Sequence, residues 1–325
     1  MSASLFQPPG ELSPAEALHL SQQAPSVLKS NPASIRSAPL LALFSAKDTP
    51  DLWTKYENLL LSCLRTGDEP SARQCLERIA NRFGADNERV MALIGLVKEA
   101  ECQNDRALDE VLKEYNKILT NNNTNIPIAK RRIALLRSIG RTSDAVSSLN
   151  TLLDFSPTDS EAWSELSDIY LGQGMYAQAI FALEEVLVLA PNAWNMHARL
   201  GEVLYMAATT TQAAESPAQK YLAEALKRFC RSIELCDDYL RGYYGLKLVT
   251  SHILKTPPKP SKQSDEDRFS LPDDAKLKAL DEMATTKLAE IIRRNSAGEG
   301  GWKGYSKSEI EAARKLLDQD NNRVR

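Results

Sequence analysis

From Ser160 onward the chain reads SEAWSELSDIYLGQGMYAQAIFALEEVLVLAPN, with Trp163, Leu166 and Tyr170 three and four residues apart. Apolar side chains at those intervals share one face of an α-helix. Gly172 and Gly174 break the pattern, Ala179, Leu183 and Val186 resume it, and Pro191 ends it. The segment therefore predicts a helix, a tight turn, a second antiparallel helix and a stop. The same events occur one step earlier, where Gly140, Ala145, Leu149 and Pro157 precede Gly174, Ala179, Leu183 and Pro191 by 34 residues each. A fixed period of this length marks helix pairs that bury their apolar faces by stacking on one another.

The spacing Trp-x2-Leu-x3-Tyr, then an alanine, a bulky apolar residue four further on and a closing proline resembles the tetratricopeptide repeat. The alanine is small because two helices approach closely there, while the aromatic and leucine positions fill the gap to a neighbouring unit. Weaker copies lie upstream, at Ala107 and Val111 (about Glu88 to Leu119) and at Ala72, Leu76 and Ile79 (about Trp53 to Gly84), with a polar insertion at Asn121 to Asn125. Downstream, Leu200, Gly201 and Leu204 pair with Ala225, Phe229 and Ser232 across a turn lengthened by TTTQAAESPAQ. Tyr243, Leu246 and Thr250 begin one more first helix, so the count is about five repeats and a partial sixth.

The expected architecture is all-α, a tetratricopeptide-repeat superhelical solenoid with capping helices at both ends. Residues 1–50 are read as an N-terminal capping helix and loop, the helix starting at the Ser13-Pro14-Ala15-Glu16 capping box and running to about Ala24. Residues 51–255 form the array, and 256–272, rich in proline and charge, form a linker. Residues 273–294, with the stripe Leu277, Leu280, Ala284, Leu288 and Ile291, form a C-terminal capping helix. Residues 295–325 are a flexible tail in which Ser306 and Glu309 can start a short helix.

Charge narrows the partners. Forty basic against forty-three acidic side chains leave a net charge of −3, with no excess to attract nucleic acid. The five cysteines (Cys63, Cys75, Cys102, Cys230, Cys236) show no C-x-x-C spacing and read as reduced thiols of a cytosolic protein. No secretory signal is expected from MSASLFQPPGELSP. The apolar runs Leu40 to Phe44 and Val186 to Ala190 are far short of the roughly 20 residues that span a bilayer.

Three stretches carry a closer likeness: Trp53-Thr54-Lys55-Tyr56-Glu57, the block Glu161 to Tyr170 with Tyr176 to Pro191, and Gly245-Leu246 leading to Ser251-His252-Ile253. Together they resemble subunit 2 of the endoplasmic reticulum membrane protein complex, in order from roughly Asp51 to Ile292. The resemblance implies a soluble, cofactor-free scaffold on the cytosolic face of that membrane. Such a subunit holds other protein subunits of a membrane-embedded complex together, so that tail-anchored and multipass proteins are inserted.

No constellation for catalysis stands out. His19, His197 and His252 are far apart and have no metal-ligand spacing. Gly298-Glu299-Gly300-Gly301 completes no phosphate-loop motif. Glu161, Glu165 and Asp168 share a helix without an apolar pocket, and Glu184 and Glu185 read as a solvated side. No enzyme activity, cofactor or metal is expected.

In this repeat type the first helices line a concave face, which selects Lys130, Arg137, Asp168, Glu202 and Tyr205 as partner-binding candidates; a merely solvated face is the competing reading. Lys130-Arg131-Arg132 with Arg137 and Arg141 is the densest basic cluster, suited to anionic headgroups or acidic loops. Arg132, however, stands where leucine is expected, with Ile133 and Leu136 available for burial instead. The alternative function is a chaperone adaptor gripping a heat-shock protein C-terminus, which wants a lysine and, four residues on, an asparagine. Lys130/Ala134, Ser164/Asp168 and Ala198/Glu202 stand at those positions.

Overall fold

The computed structural model describes residues 5–6, 12–30, 49–210, 215–256, 271–302 and 304–321. Among them there are helices and no strands. The chain divides into two compact units, Met1–Phe155 and Ser156–Arg325, a boundary that falls inside the expected array.

In the first unit α1 (Pro14–Ser21) and α2 (Ala24–Ser30) lie on the pair α3 (Pro50–Thr66) and α4 (Glu69–Phe83). The pairs α5 (Glu88–Glu101) with α6 (Asp105–Asn121) and α7 (Ile126–Ser138) with α8 (Thr142–Phe155) follow. Side chains that bond free backbone N–H groups begin the helices: Asp68 for α4, Asn87 for α5, Asn104 for α6 and Asn125 for α7. Gly140, between α7 and α8, takes φ 75°, where a side chain is strained.

The Ser13 capping box forms as expected, Ser13 N–H donating to Glu16 Oε2 at 2.8 Å. The helix it starts does not reach Ala24. It ends at Ser21, and Ala24 opens the separate helix α2. Pro25 is the cause: inside a continuous helix it removes a hydrogen bond and strikes the carbonyl a turn earlier, whereas in a first turn it is tolerated. Arg78 then secures α2 by donating to the Leu28 carbonyl at 2.7 Å.

In the second unit α9 (Ser160–Gly172) pairs with α10 (Tyr176–Leu189), α11 (Trp194–Thr210) with α12 (Glu215–Leu235), and α13 (Leu240–Lys255) with α14 (Asp274–Ser296). Finally, α15 (Lys307–Asn321) lies on α14 and α13. Gly174 repeats the left-handed turn of Gly140, with φ 72°. The insertion read as a longer turn is helical at both ends, α11 continuing to Thr210 and α12 beginning at Glu215, while residues 211–214 lie outside the described residues.

Helix α14 is more than a lid. It packs on α13 as a second helix packs on a first, burying Leu277, Ala284, Leu288 and Ile291. Lys247, 4% exposed, donates to Asp281 Oδ2 at 2.7 Å, and Asp281 Oδ1 accepts from Thr250 at 2.7 Å and Ser251 at 3.1 Å. The linker between them lies, apart from its ends, outside the described residues.

The start of the segment expected to be a flexible tail is held at several points. The Trp302 ring takes Arg294 over its face at 4.8 Å and its carbonyl accepts from Asn295 at 2.7 Å. Tyr305 donates to the Asp238 carbonyl at 2.7 Å, and Glu309 accepts from Arg241 at 2.7 Å.

Candidate partner-binding surfaces

Of the repeat alanines, Ala107 on α6 is half-buried and the others lie deeper. Ala72, Ala145, Ala179 and Ala225 are all fully buried, so side chains on the far faces of the first helices are left to make surfaces. In the first unit these lie on α3, α5 and α7. Leu61, Leu64, Leu96, Ala100, Leu108 and Leu135, with Arg65 and Glu99 among them, line an open cavity of about 640 Å³.

Lys130 and Arg137 sit on α7, the first half-buried and the second exposed. Their neighbours in the basic cluster leave it. Arg131 Nε donates to Glu99 Oε1 at 3.1 Å, and a second guanidinium N–H meets Glu99 Oε2. Tyr115 donates its hydroxyl to the same carboxylate. Burial opposes the Arg131 charge, but the bonds and charge of Glu99 outweigh it and hold the guanidinium above its ordinary pKa. Burial and Glu99 likewise push the Tyr115 phenol upward, so it stays a neutral donor.

Arg132 turns the other way, Nε donating to Asn116 Oδ1 at 2.6 Å and Nη1 to Ser148 Oγ. Ile133 and Leu136 are buried in its stead. Arg141 pairs with Asp144 at 2.6 Å. Five basic residues close in sequence thus do not make one basic patch.

In the second unit the structure joins two candidates, Asp168 and Glu202, through Arg199. Arg199 donates from Nη2 to Asp168 Oδ1 at 2.9 Å and from Nη1 to Glu202 Oε2 at 2.7 Å. Burial works against the Arg199 charge, and its bonds to Glu202 and Asp168 overcome that, raising its pKa. The i, i+3 spacing of Arg199 and Glu202 was the available signal. Tyr205, one turn further along α11, meets the His252 ring edge to face at 5.8 Å.

Glu202 and Tyr205 also line a cavity of about 220 Å³ between α11 and α13, walled by Arg199, Tyr239, Tyr244 and Leu248. Phe229 of α12 forms part of its lining, and Gly201 and Gly245 leave room for that ring. The lining combines tyrosine and phenylalanine rings, the Arg199 and Arg241 guanidinium groups and the Glu202 carboxylate.

Two of the histidines are half-buried or deeper. His197 hydrogen-bonds the Pro191 carbonyl through Nε2 at 3.0 Å, and burial lowers its pKa. Burial also lowers that of His252, helped by the Lys255 charge. Burial raises the Glu184 pKa, against the neighbouring Arg228 charge. Cys63 and Cys75 lie in the core, where burial pushes both thiols to about 12. Among the described residues no group of histidine, cysteine and carboxylate side chains is placed to hold a metal, and no helix is long and apolar enough to cross a membrane.

Successive antiparallel helix pairs, with Ala72, Ala145, Ala179 and Ala225 fully buried where helices meet, define a tetratricopeptide-repeat protein. Residues 75–219 match the model of the EMC2 TPR-like repeat domain. The chain is 33% identical over 224 residues to the fission yeast (Schizosaccharomyces pombe) TPR repeat protein oca3, covering 66% of this chain and 75% of that one. It is 32% identical over 212 residues to ER membrane protein complex subunit 2-A of Xenopus laevis, covering 65% and 67%. Against ER membrane protein complex subunit 2 of Saccharomyces cerevisiae the identity is 28% over 190 residues, covering 57% and 62%. The chain belongs to the family of ER membrane protein complex subunit 2.

Proposed function

We propose that this protein is a non-catalytic scaffold subunit of an endoplasmic reticulum membrane protein complex, seated on the cytoplasmic face of the membrane. It holds other protein subunits together and so supports insertion of tail-anchored and multipass membrane proteins. The observation that carries the reading is the 32% identity to the Xenopus subunit across two thirds of its length. The side chains left on the first-helix faces support it: Lys130 and Arg137 in one unit, Asp168, Glu202 and Tyr205 in the other, as contacts for partner segments. The chaperone-adaptor alternative is disfavoured by charge, since Asp168 and Glu202 stand where a bound C-terminal carboxylate needs neutral amide donors.

The test is purification of the tagged full-length chain from membranes in mild detergent, with its co-purifying proteins identified. Recovery of several membrane-spanning subunits in stoichiometric amounts is expected; recovery of heat-shock proteins alone overturns the reading. Reversing Lys130 and Arg137 together to glutamate is expected to reduce that recovery at unchanged helix content. Full recovery removes those two residues from the account.

A further inference from the structure

We propose that the cavity between α6, α7 and α8 binds a carboxylate side chain from an acidic segment of a partner protein, with Arg132 as its main contact. The cavity measures about 500 Å³, and the charged residues lining it are Arg132, Arg141 and Asp144. Arg132 occupies a position where the repeat pattern expects leucine, so a guanidinium enters a half-buried space that an apolar side chain would have closed. Its Nε and Nη1 donate to Asn116 and Ser148, which uses two of the five N–H groups an arginine carries. Among the described residues no carboxylate pairs with it. The nearby acid, Asp144, is held by Arg141 at 2.6 Å.

A half-buried cation hydrogen-bonded only to neutral groups is costly, and burial with the Arg141 charge lowers its pKa against the pull of Asp144. Two arginines and one aspartate leave the cavity one positive charge in excess. A single carboxylate balances that excess, takes the unused N–H groups in charge-assisted bonds and fits the space. A phosphate dianion overshoots the balance and faces Asp144. The choice of a protein as the source of the carboxylate rests on the scaffold reading above.

The experiment titrates fluorescein-labelled hexaglutamate into the full-length protein at low salt and follows anisotropy, for the native chain and for Arg132→Leu and Arg132→Gln. Saturable binding to the native chain is expected, with both variants weaker by about tenfold or more. Native-like binding by a folded variant overturns the proposal. A second readout needs no variant: hexaglutamate is expected to protect Arg132 from phenylglyoxal, seen by peptide mass spectrometry, and an undiminished modification rate overturns the proposal even where the variants fail to fold. Inorganic phosphate, or vesicles of phosphatidylserine in phosphatidylcholine, protecting Arg132 where hexaglutamate does not would reassign the cavity to phosphate or membrane. Co-purification of membrane-spanning subunits is measured in parallel. Its presence without hexaglutamate binding sinks this proposal alone, and hexaglutamate binding without it sinks the scaffold reading.

Discussion

A Cβ built on Gly245 of α13 overlaps the ring of Phe229 on α12, and one on Gly201 of α11 comes within 3.0 Å of the same ring. One phenyl group thus sets the approach of three helices at the wall of the second unit's cavity. The first unit repeats the device with other residues: Gly95 of α5 leaves room for the Tyr115 side chain of α6, whose hydroxyl then reaches Glu99.

Gly245→Ala is therefore expected to destabilise the second unit by about 1–3 kcal/mol, the usual cost of overpacking. Gly201→Ala costs less, because that contact yields to a shift of a few tenths of an ångström. Urea unfolding followed by circular dichroism measures both. Equal midpoints for Gly245→Ala and the native chain would mean that the ring swings aside freely.

Asp281→Ala removes the carboxylate that meets the buried Lys247 ammonium and is expected to cost about 3–5 kcal/mol. Replacing both partners, Lys247→Met with Asp281→Leu, should recover most of that loss, since two apolar groups leave no orphaned charge. Protease cleavage between α13 and α14 reports the same change, rising in the single variant and returning towards normal in the double one.

The stability of the second unit should fall as the medium is acidified through the histidine range. Burial lowers the folded-state pKa of His197 and of His252 below the ordinary 6.5, so below that value the unfolded chain binds more protons than the folded one. The contribution is complete above about pH 6.5 and is lost as pH falls through the lowered folded values. His197 Nδ1 is buried without a hydrogen-bond partner among the described residues, so a proton placed there has no acceptor. Melting temperatures measured between about pH 7 and pH 5 should drop for the native chain and drop less for His197→Gln.

Cys63 and Cys75 should resist thiol reagents in the native state. Both are fully buried with their thiols pushed to about 12, and only the thiolate reacts. Labelling with a maleimide followed by peptide mass spectrometry is expected to modify the half-exposed Cys102 and Cys236 first. Labelling of Cys63 at the rate of Cys102 would show that α3 and α4 open readily.

Much of the helix pairing was legible because the repeat leaves a simple trace. Ala72, Ala145, Ala179 and Ala225 stand where two helices touch, and each is fully buried. Gly140 and Gly174 hold the positive φ of the turns between. The N-terminal break was legible too, in Pro25, but the continuous apolar pattern from Ala17 to Leu20 and Ala24 masked it. Arg132 was marked as an intruder at a leucine position, while its bonds to Asn116 and Ser148 were not readable.

What the sequence determined by itself is local and periodic: which residues form helices, where turns fall, and which small side chains permit close approach. These follow from intervals of three and four and from a period of 34 residues. The tertiary structure alone decided which charges meet. Arg131 and Arg132 are neighbours in the chain yet go to Glu99 on one helix and to Asn116 and Ser148 on two others, and Arg199 joins Asp168 to Glu202. The reason is physical: apolar burial repeats with the helix turn, whereas an ion pair is set by which distant backbone the packing brings within about 3 Å.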